Sequence, residues 1–154
     1  MPSSYLLKHK VSIVAALVVT IFFLVDRFLK LTAIKIAPLS ISLIKQVLSF
    51  NLTVNQNIAF SLPLNGSWLN WPIVAIILYF LWLLWRIKND ASKLQEKIAI
   101  CLIASGAFSN LIDRLQYGYV IDYLNLKYFT IFNLADVMIV IGSLLLAWQT
   151  LKKQ

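Results

Sequence analysis

The sequence predicts an all-α membrane protein with four transmembrane helices. The chain has 154 residues, of which 60% are hydrophobic and only 13% are charged, whereas a soluble domain carries about 25% charged residues. Its apolar residues are gathered in four long segments, and its basic residues flank those segments. A chain of this length fills a single core, so the remaining apolar surface requires lipid. We therefore expect one membrane-embedded domain over residues 1–154.

The first helix is predicted at residues 11–31. Its uncharged part, residues 11–25, reaches only about 22 Å as a helix. The hydrocarbon core is about 30 Å thick, so the helix must also include Asp26. Lys8 and Lys10 before an apolar stretch would also fit a cleaved signal peptide. No small-x-small cleavage site follows at the right distance, which favours a retained helix.

The other three helices are predicted from apolar stretches bounded by charge, at residues 68–86, 98–114 and 131–151. The first of these has tryptophans near both ends, in the manner of interface anchors. Residues 115–128, between the last two helices, are predicted as a loop.

A different character is found in residues 32–67, which connect the first two helices. They contain Pro38 and Pro63, β-branched residues and a partial polar–apolar alternation over residues 48–55. This pattern is typical of short strands or of an amphipathic patch on the membrane surface. We predict a small β or amphipathic platform on the extracytoplasmic side.

The basic residues predict the orientation. With the N-terminus inside, eight of the 14 lysines and arginines lie on the inner side and six on the outer side. The positive-inside rule then places both termini in the cytoplasm. Because these residues flank the helices and form no single soluble face, the net charge of +8 does not indicate nucleic-acid binding.

Several kinds of chemistry are disfavoured by composition. The only cysteine, Cys101, lies within an apolar segment, and the only histidine, His9, lies in the N-terminal tail. An internal disulfide is excluded, and a metal site of histidines and cysteines is not expected. Histidine-dependent serine or cysteine catalysis would need His9, far from the other polar residues. A serine–lysine dyad on Lys30 stays open, although no serine is distinctively placed for it.

The carboxylates give the clearest physical signal. Two of the six, Asp90 and Glu96, lie in the inner hairpin, where solvation explains them. The other four fall at or near the outer helix ends: Asp26, Asp113, Asp122 and Asp136. A carboxylate at the edge of hydrocarbon costs a few kcal/mol and is therefore a candidate functional group. An up-and-down bundle would bring these four ends together.

Asp122 and Asp136 are the candidate catalytic pair. Asp136 lies inside the fourth helix with Asn133 at i−3, and Asp122 lies in the preceding loop, near enough to fold back beside it. Two adjoining carboxylates in a low-dielectric site share a proton. The ionised member can then activate water while the protonated member hydrogen-bonds a peptide carbonyl. Alternatively, Asp122 is an ordinary loop residue and Asp136 makes a structural contact within the bundle.

The remaining polar residues have milder interpretations. Asn110, Asp113 and Arg114 share one helical turn and suggest a network that fixes the helix end. Asp26 and Lys30 form an i,i+4 pair with favourable order of charge, either as a simple interfacial ion pair or to position a substrate.

Two further functions stay open at this level. A proton-coupled transporter or channel subunit would use Asp26, Asp113 and Asp136 as a relay, but it predicts carboxylates spread across the membrane depth. A passive assembly factor would tolerate Asp136→Asn.

The motifs also carry a resemblance to a known family. Asp26 and Lys30 are followed by NQNIAF at residues 55–60, SGAFSNLIDRLQYGYVIDYL at 105–124 and FNLAD at 132–136. In this order, and over nearly the whole chain, they resemble lipoprotein signal peptidase, also called signal peptidase II. The resemblance implies an aspartic endopeptidase of the bacterial inner membrane that removes signal peptides from prolipoproteins. Cleavage would fall before a diacylglyceryl-modified cysteine.

The resemblance also assigns residues and partners. It implies that Asp122 and Asp136 are catalytic, without metal or organic cofactor. The supporting positions that it implies are Asp26, Lys30, Asn55, Ala59, Asn110, Asp113, Arg114 and Asn133. Residues 32–67 would supply the surface platform and a mobile substrate-gripping loop. Partners would be modified prolipoproteins, membrane lipid and inhibitors like the cyclic peptide globomycin, with the protein acting as a monomer.

Three positions depart from the family pattern. Asn57 replaces a usual glycine, Ser109 takes the place of the small residue usual before Asn110, and Arg27 stands where glutamine is common. Asn tolerates positive φ better than most residues, so a turn at Asn57 could survive. None of the three belongs to the candidate pair.

Overall fold

A computed structural model describes residues 2–56 and 70–152 of the chain. Helices dominate it, and they are α1 (Pro2–Ile36), α2 (Asn70–Ile87), α3 (Leu94–Tyr117) and α4 (Leu134–Leu151). A short 3-10 turn, Ala91–Lys93, precedes α3. The strands are β1 (Ile41–Ile44), β2 (Leu48–Asn55), β3 (Val120–Leu126) and β4 (Ile131–Phe132). They form one antiparallel sheet in the order β1-β2-β3-β4.

Three of the helices, α2, α3 and α4, are long and apolar enough to cross a membrane by length and composition. Large apolar side chains such as Trp71, Leu78 and Leu144 are exposed along them. In water such a surface would be unfavourable, whereas in a bilayer it faces lipid. The multi-pass character predicted from the sequence is therefore confirmed for three helices, and the fourth span, on α1, stays a prediction.

The helix ends differ from the predicted ones for local reasons. α1 continues to Ile36 and stops before Pro38, because a residue that precedes proline disfavours helical geometry. α3 continues to Tyr117 and ends at Gly118, whose φ of 81° is accessible to glycine and whose N–H donates to the Arg114 carbonyl. The predicted start of α2 at residue 68 lies outside the described residues.

α4 begins three residues later than predicted, at Leu134, because Asn133 caps it. The Asn133 side chain accepts from the Asp136 N–H, and the Asp136 carboxylate accepts from the Asn133 N–H. This reciprocal pair is a capping box. The preceding residues Ile131 and Phe132 are strand β4, not helix.

The platform contains strands, as predicted, but half of its strands come from an unexpected part of the chain. The loop predicted at residues 115–128 is wrong, because residues 120–126 form β3, which lies between β2 and β4. Asp122 is opposite Thr53 in this pairing. The apolar residues Val120 and Ile121, which precede Asp122, are buried, and this burial stabilises a strand where a loop was predicted. Asp122 thus lies in a strand that is hydrogen-bonded to β2, and not in a loop.

The sheet packs on α1, and α3 packs closely on α4. Ala33 of α1 lies in a small core with Phe50 and Tyr123, whose rings are 5.4 Å apart. At Gly106 in α3, a Cβ would lie 2.5 Å from the Ala135 carbonyl oxygen. The absence of a side chain at Gly106 therefore sets how closely the first turn of α4 approaches α3.

Candidate active site

Lys30 is the buried cation around which the polar cluster is organised. Its side chain is fully buried, and its ammonium lies 3.1 Å from Asp26 Oδ2 and 2.7 Å from Asp113 Oδ2. It also donates to Asn110 Oδ1 at 2.8 Å. Since a buried charge is tolerated only when it is paired and hydrogen-bonded, these partners explain how α1 holds a lysine here. The i,i+4 pair of Asp26 and Lys30 is present as predicted.

Asp26 joins α1 to three other elements. Its carboxylate accepts from Ser109 Oγ at 2.6 Å, from Tyr123 Oη at 3.0 Å and from the Ala135 N–H at 3.1 Å. Tyr123 in turn accepts from the Leu134 N–H at 3.0 Å. Burial and the Asp26 charge raise the pKa of Tyr123, so its hydroxyl stays protonated and donates. Asp26 therefore holds the start of α4 against α1.

Asp113 is bound mainly by α1, which differs from the predicted network within one turn of α3. It forms ion pairs with Arg27 and Lys30, and it accepts from the Ile121 N–H at 3.3 Å. Arg114 is half-buried, and its charge interacts with Asp122, Asp113 and Asp136. Asp113 thus connects α1, α3 and β3.

Asn133 links the two candidate catalytic aspartates. Its amide donates to Asp122 Oδ1 at 2.7 Å, and its Oδ1 accepts from the Asp136 N–H at 2.9 Å. Its own N–H donates to Asp136 Oδ2 at 3.2 Å. One residue between β4 and α4 therefore positions both carboxylates, and this brings Asp122 and Asp136 into one site.

The second oxygen of each aspartate is held by another asparagine. Asn55 donates to Asp122 Oδ2 at 2.9 Å, and Asn110 donates to Asp136 Oδ1 at 2.8 Å. Asn110 Oδ1 accepts from Lys30, so the orientation of its amide is fixed. The four hydrogen bonds that Asp122 and Asp136 accept from Asn55, Asn110 and Asn133 all come from N–H donors, and such donors favour the ionised form of a carboxylate.

The polar cluster contains one more carboxylate than cations. Four carboxylates (Asp26, Asp113, Asp122 and Asp136) lie among three cations (Arg27, Lys30 and Arg114). A net negative charge is unfavourable in this buried cluster, and a single bound proton neutralises it. Asp26 and Asp113 each form ion pairs with cations of α1, so Asp122 and Asp136 are the carboxylates on which such a proton would be shared. One proton on two carboxylates is the state that acid–base hydrolysis requires.

The pKa of Asp122 is raised to about 6. Burial is the main cause and the nearby charge of Asp136 adds to it, while the hydrogen bonds from Asn55 and Asn133 lower the pKa in part. The side chain is only 2% exposed. An aspartate with a pKa this high exchanges its proton near neutral pH, as a general acid or base must.

The raised pKa predicts a pH-dependent stability. An unfolded Asp122 ionises near pH 4 and the folded one near pH 6, so the free energy of unfolding falls as pH rises between these values. By linkage the loss reaches about 3 kcal/mol above pH 6. The charge-removing variant Asp122→Asn should therefore melt above wild type at pH 7.5, with a smaller difference at pH 4.5. Thermal melts in detergent measure this, and a difference independent of pH would contradict it.

Three residues of the cluster were not predicted as site residues: Arg27, Ser109 and Tyr123. Arg27 and Ser109 were visible only as departures from the family pattern, and Tyr123 only as the neighbour of Asp122. A tyrosine flanked by buried residues needs a partner for its hydroxyl, which was the available signal. Ala59 and Asn57 lie outside the described residues. All other predicted site residues are in the cluster.

The chain is similar in sequence to one known family of proteins. Residues 18–152 match the family described as Signal peptidase (SPase) II. The lipoprotein signal peptidase of Halothermothrix orenii is 36% identical over 138 residues, covering 86% of this chain and 94% of its own. That of Clostridium novyi is 31% identical over 138 residues, covering 85% and 93%.

Two solved structures are similar as well. Both are bacterial membrane enzymes determined by the in meso method. One has a TM-score of 0.74 with 29% identity, over 93% of this chain and 88% of its own. The other has a TM-score of 0.68 with 28% identity, over 94% and 95%. A buried Asp–Asn–Asp arrangement at the end of apolar helices accompanies a family match over most of the sequence, and this chain therefore belongs to the signal peptidase II family of membrane proteases.

Proposed function

We propose that this protein is an aspartic endopeptidase that removes signal peptides from bacterial prolipoproteins, cutting N-terminal to the diacylglyceryl-modified cysteine. The observation that carries the proposal is the bridge from Asp122 through Asn133 to Asp136. The curated relatives bear the name lipoprotein signal peptidase, which supports the substrate class.

In the proposed reaction the ionised aspartate takes a proton from water, and the water oxygen attacks the scissile carbonyl. The protonated aspartate hydrogen-bonds the carbonyl oxygen and stabilises the tetrahedral intermediate. Proton transfer to the leaving nitrogen then completes the cleavage. Asn133, Asn110 and Asn55 hold the two carboxylates in place, and Lys30 neutralises the charges beneath them.

We place α1 as a fourth transmembrane helix, with both termini in the cytoplasm and the acidic cluster at the extracytoplasmic side of the inner membrane. This is supported by the basic hairpin between α2 and α3, which lies at the opposite end of the bundle from Asp136. A substrate whose acyl chains remain in the bilayer would then present its scissile bond at the depth of the cluster. The segment containing Ala59 would close over the substrate, and globomycin-type inhibitors would occupy the same site. We propose that the enzyme works as a monomer.

The proposal is tested by incubating the purified protein in nanodiscs with a prolipoprotein carrying the diacylglyceryl group and with its unmodified form. Mass spectrometry of the products locates the cut. We expect cleavage immediately before the modified cysteine and little cleavage of the unmodified form. An inert protein, or equal cleavage of both forms at other bonds, would refute the assignment.

The close approach of α3 and α4 gives a second prediction. Gly106→Ala would place a Cβ 2.5 Å from the Ala135 carbonyl oxygen, and Gly142→Ala would place one 2.6 Å from the Ala99 carbonyl oxygen. Each should destabilise the protein by about 1–3 kcal/mol through overpacking. Only Gly106 lies beside the turn that carries Asp136, so its variant should also lower kcat roughly tenfold or more, since small displacements of catalytic groups are costly.

Gly142→Ala is the matched control, because it introduces the same methyl group between the same two helices, about two turns farther along α4 than Ala135. Thermal melting and cleavage rate per folded molecule are measured for both variants. Equal loss of kcat in the two would show that helix packing in general, and not the placement of Asp136, limits the reaction.

A further inference from the structure

A second polar site lies at the opposite end of the helices from the acidic cluster. A cavity of about 420 Å³ opens there between the end of α2, the start of α3 and the end of α4. Its polar lining consists of Arg86, Lys93, Glu96, Gln149 and Thr150. Along α4 it is about 20 Å from the Asp136 turn, at 1.5 Å per residue. The peptidase chemistry proposed above does not use this cavity.

The cavity carries a net positive charge. Lys93 is 3.7 Å from Glu96, so these two largely compensate each other. In the described part of the chain, Arg86 has its guanidinium over the Trp82 ring at 5.0 Å and makes no ion pair with a carboxylate. A tryptophan and arginine together are typical of the headgroup depth of a bilayer. The cavity therefore offers a guanidinium that pairs with no carboxylate of residues 13–56 or 70–152.

Gln149 adds a second, independent indication of a ligand. Its Nε2 is buried and has no hydrogen-bond partner among the described residues. A buried donor without a partner costs about 1–3 kcal/mol, which an acceptor within the cavity would recover. The Thr150 hydroxyl donates to the Leu146 carbonyl of its own helix, so it does not satisfy this amide. An anionic group with acceptor oxygens would satisfy both the Gln149 amide and the positive charge of Arg86.

The aliphatic side chains that line the cavity indicate that the anionic group belongs to a lipid. Leu83 and Leu146 line the same cavity, on α2 and α4, whose apolar surfaces are those expected to face lipid. An acyl chain can lie against these side chains while a phosphate reaches Arg86 and Gln149. We propose that this cavity binds the headgroup of an anionic phospholipid from the leaflet opposite the acidic cluster.

The test uses the full chain, purified in a zwitterionic detergent. Binding of phosphatidylglycerol and of phosphatidylcholine with the same acyl chains is measured by native mass spectrometry. We expect phosphatidylglycerol to bind about tenfold more tightly. Arg86→Gln should weaken its binding roughly tenfold, as expected for loss of a charge-assisted contact. Gln149→Met, which removes only a neutral donor, should weaken it about threefold.

Lys152→Gln is the matched control, because Lys152 lies at the same end of the bundle, stacks on Trp148 at 5.1 Å and does not line the cavity. Its variant should change phosphatidylglycerol affinity less than twofold. An equal effect of Lys152→Gln and Arg86→Gln would show general attraction to basic residues and overturn the proposal. Equal affinity for the two lipids would do the same, as would displacement of phosphatidylglycerol by millimolar inorganic phosphate, which would indicate a soluble anion.

Discussion

Asp122→Asn and Asp136→Asn are each expected to reduce prolipoprotein cleavage by a factor of about a thousand or more, because each removes one half of the acid–base pair. A positioned acid or base contributes about 10²–10⁴-fold, and groups that act as a unit lose nearly the full effect when either is removed. The loss should fall on kcat more than on KM, since neither carboxylate is proposed to anchor the acyl chains. Single-turnover cleavage in nanodiscs measures it.

The two variants differ in how well they are tolerated by the fold. In Asp122→Asn the new amide faces Asn55 or Asn133, both of which donate to Asp122 in the wild type. Asn133 cannot rotate because its Oδ1 accepts from the Asp136 N–H, so Asn55 must reverse its amide. In Asp136→Asn both donors, the Asn110 amide and the Asn133 N–H, are fixed. The Asp136 variant should therefore be the less stable of the two.

Asp90→Asn is the matched control for both. It makes the same chemical change in the inner hairpin, where Asp90 accepts from the Ser92 N–H and caps the 3-10 turn. Asparagine is an equally good cap, so activity and melting temperature should be unchanged. If either candidate variant stays folded and retains near wild-type cleavage, the choice of catalytic carboxylates is wrong even though the family assignment stands.

Lys30→Met should destabilise the protein by about 3–5 kcal/mol, the largest stability effect that we expect from one substitution. Lys30 is fully buried with Asp26 and Asp113, and removing one partner of a buried ion pair leaves an uncompensated charge. Arg27 still pairs with Asp113, so the carboxylate left without a cation is mainly that of Asp26. Melting in detergent measures the loss, and Lys35→Met, on the exposed part of the same helix, serves as the control.

A second substitution separates charge from packing. In Lys30→Met/Asp26→Asn the asparagine oxygen can still accept from Tyr123 Oη and the Ala135 N–H, while its amide can donate to Ser109 Oγ. The double variant should recover more than half of the lost stability without recovering full activity. A double variant that is no more stable than Lys30→Met alone would show that the lysine acts through packing and not through its charge.

The sequence predicted the apolar helices well because a membrane span is set by length and hydropathy, which are local properties. It also predicted that Asp26, Asp113, Asp122 and Asp136 lie close together, and the structure brings these four carboxylates into one cluster. Helix ends were less accurate. The start of α4 depends on Asn133 and Asp136 exchanging hydrogen bonds, and the end of α3 depends on Gly118 at positive φ.

The site was predicted as a set of residues and not as a geometry. Asp122 was predicted to lie in a loop because residues 115–128 separate the last two predicted helices. Its strand forms because β2, almost 70 residues earlier in the chain, provides the ladder. Likewise Asp113 appeared to belong with its helical neighbour Arg114, whereas Arg27 and Lys30 of α1 are the ion-pair partners found.

The sequence by itself determined which residues are available: apolar stretches long enough to span lipid, four carboxylates at or near predicted helix ends and a single histidine. Only the tertiary structure decided which of those carboxylates form ion pairs and which are bound by asparagines. Asp26 and Asp113 are placed against buried cations, which hold them in structural ion pairs. Asp122 and Asp136 are placed against asparagines, which orient a carboxylate without neutralising it. The physical reason is that charge compensation depends on contacts between α1, α3, β3 and α4, and such contacts exist only once the chain has folded.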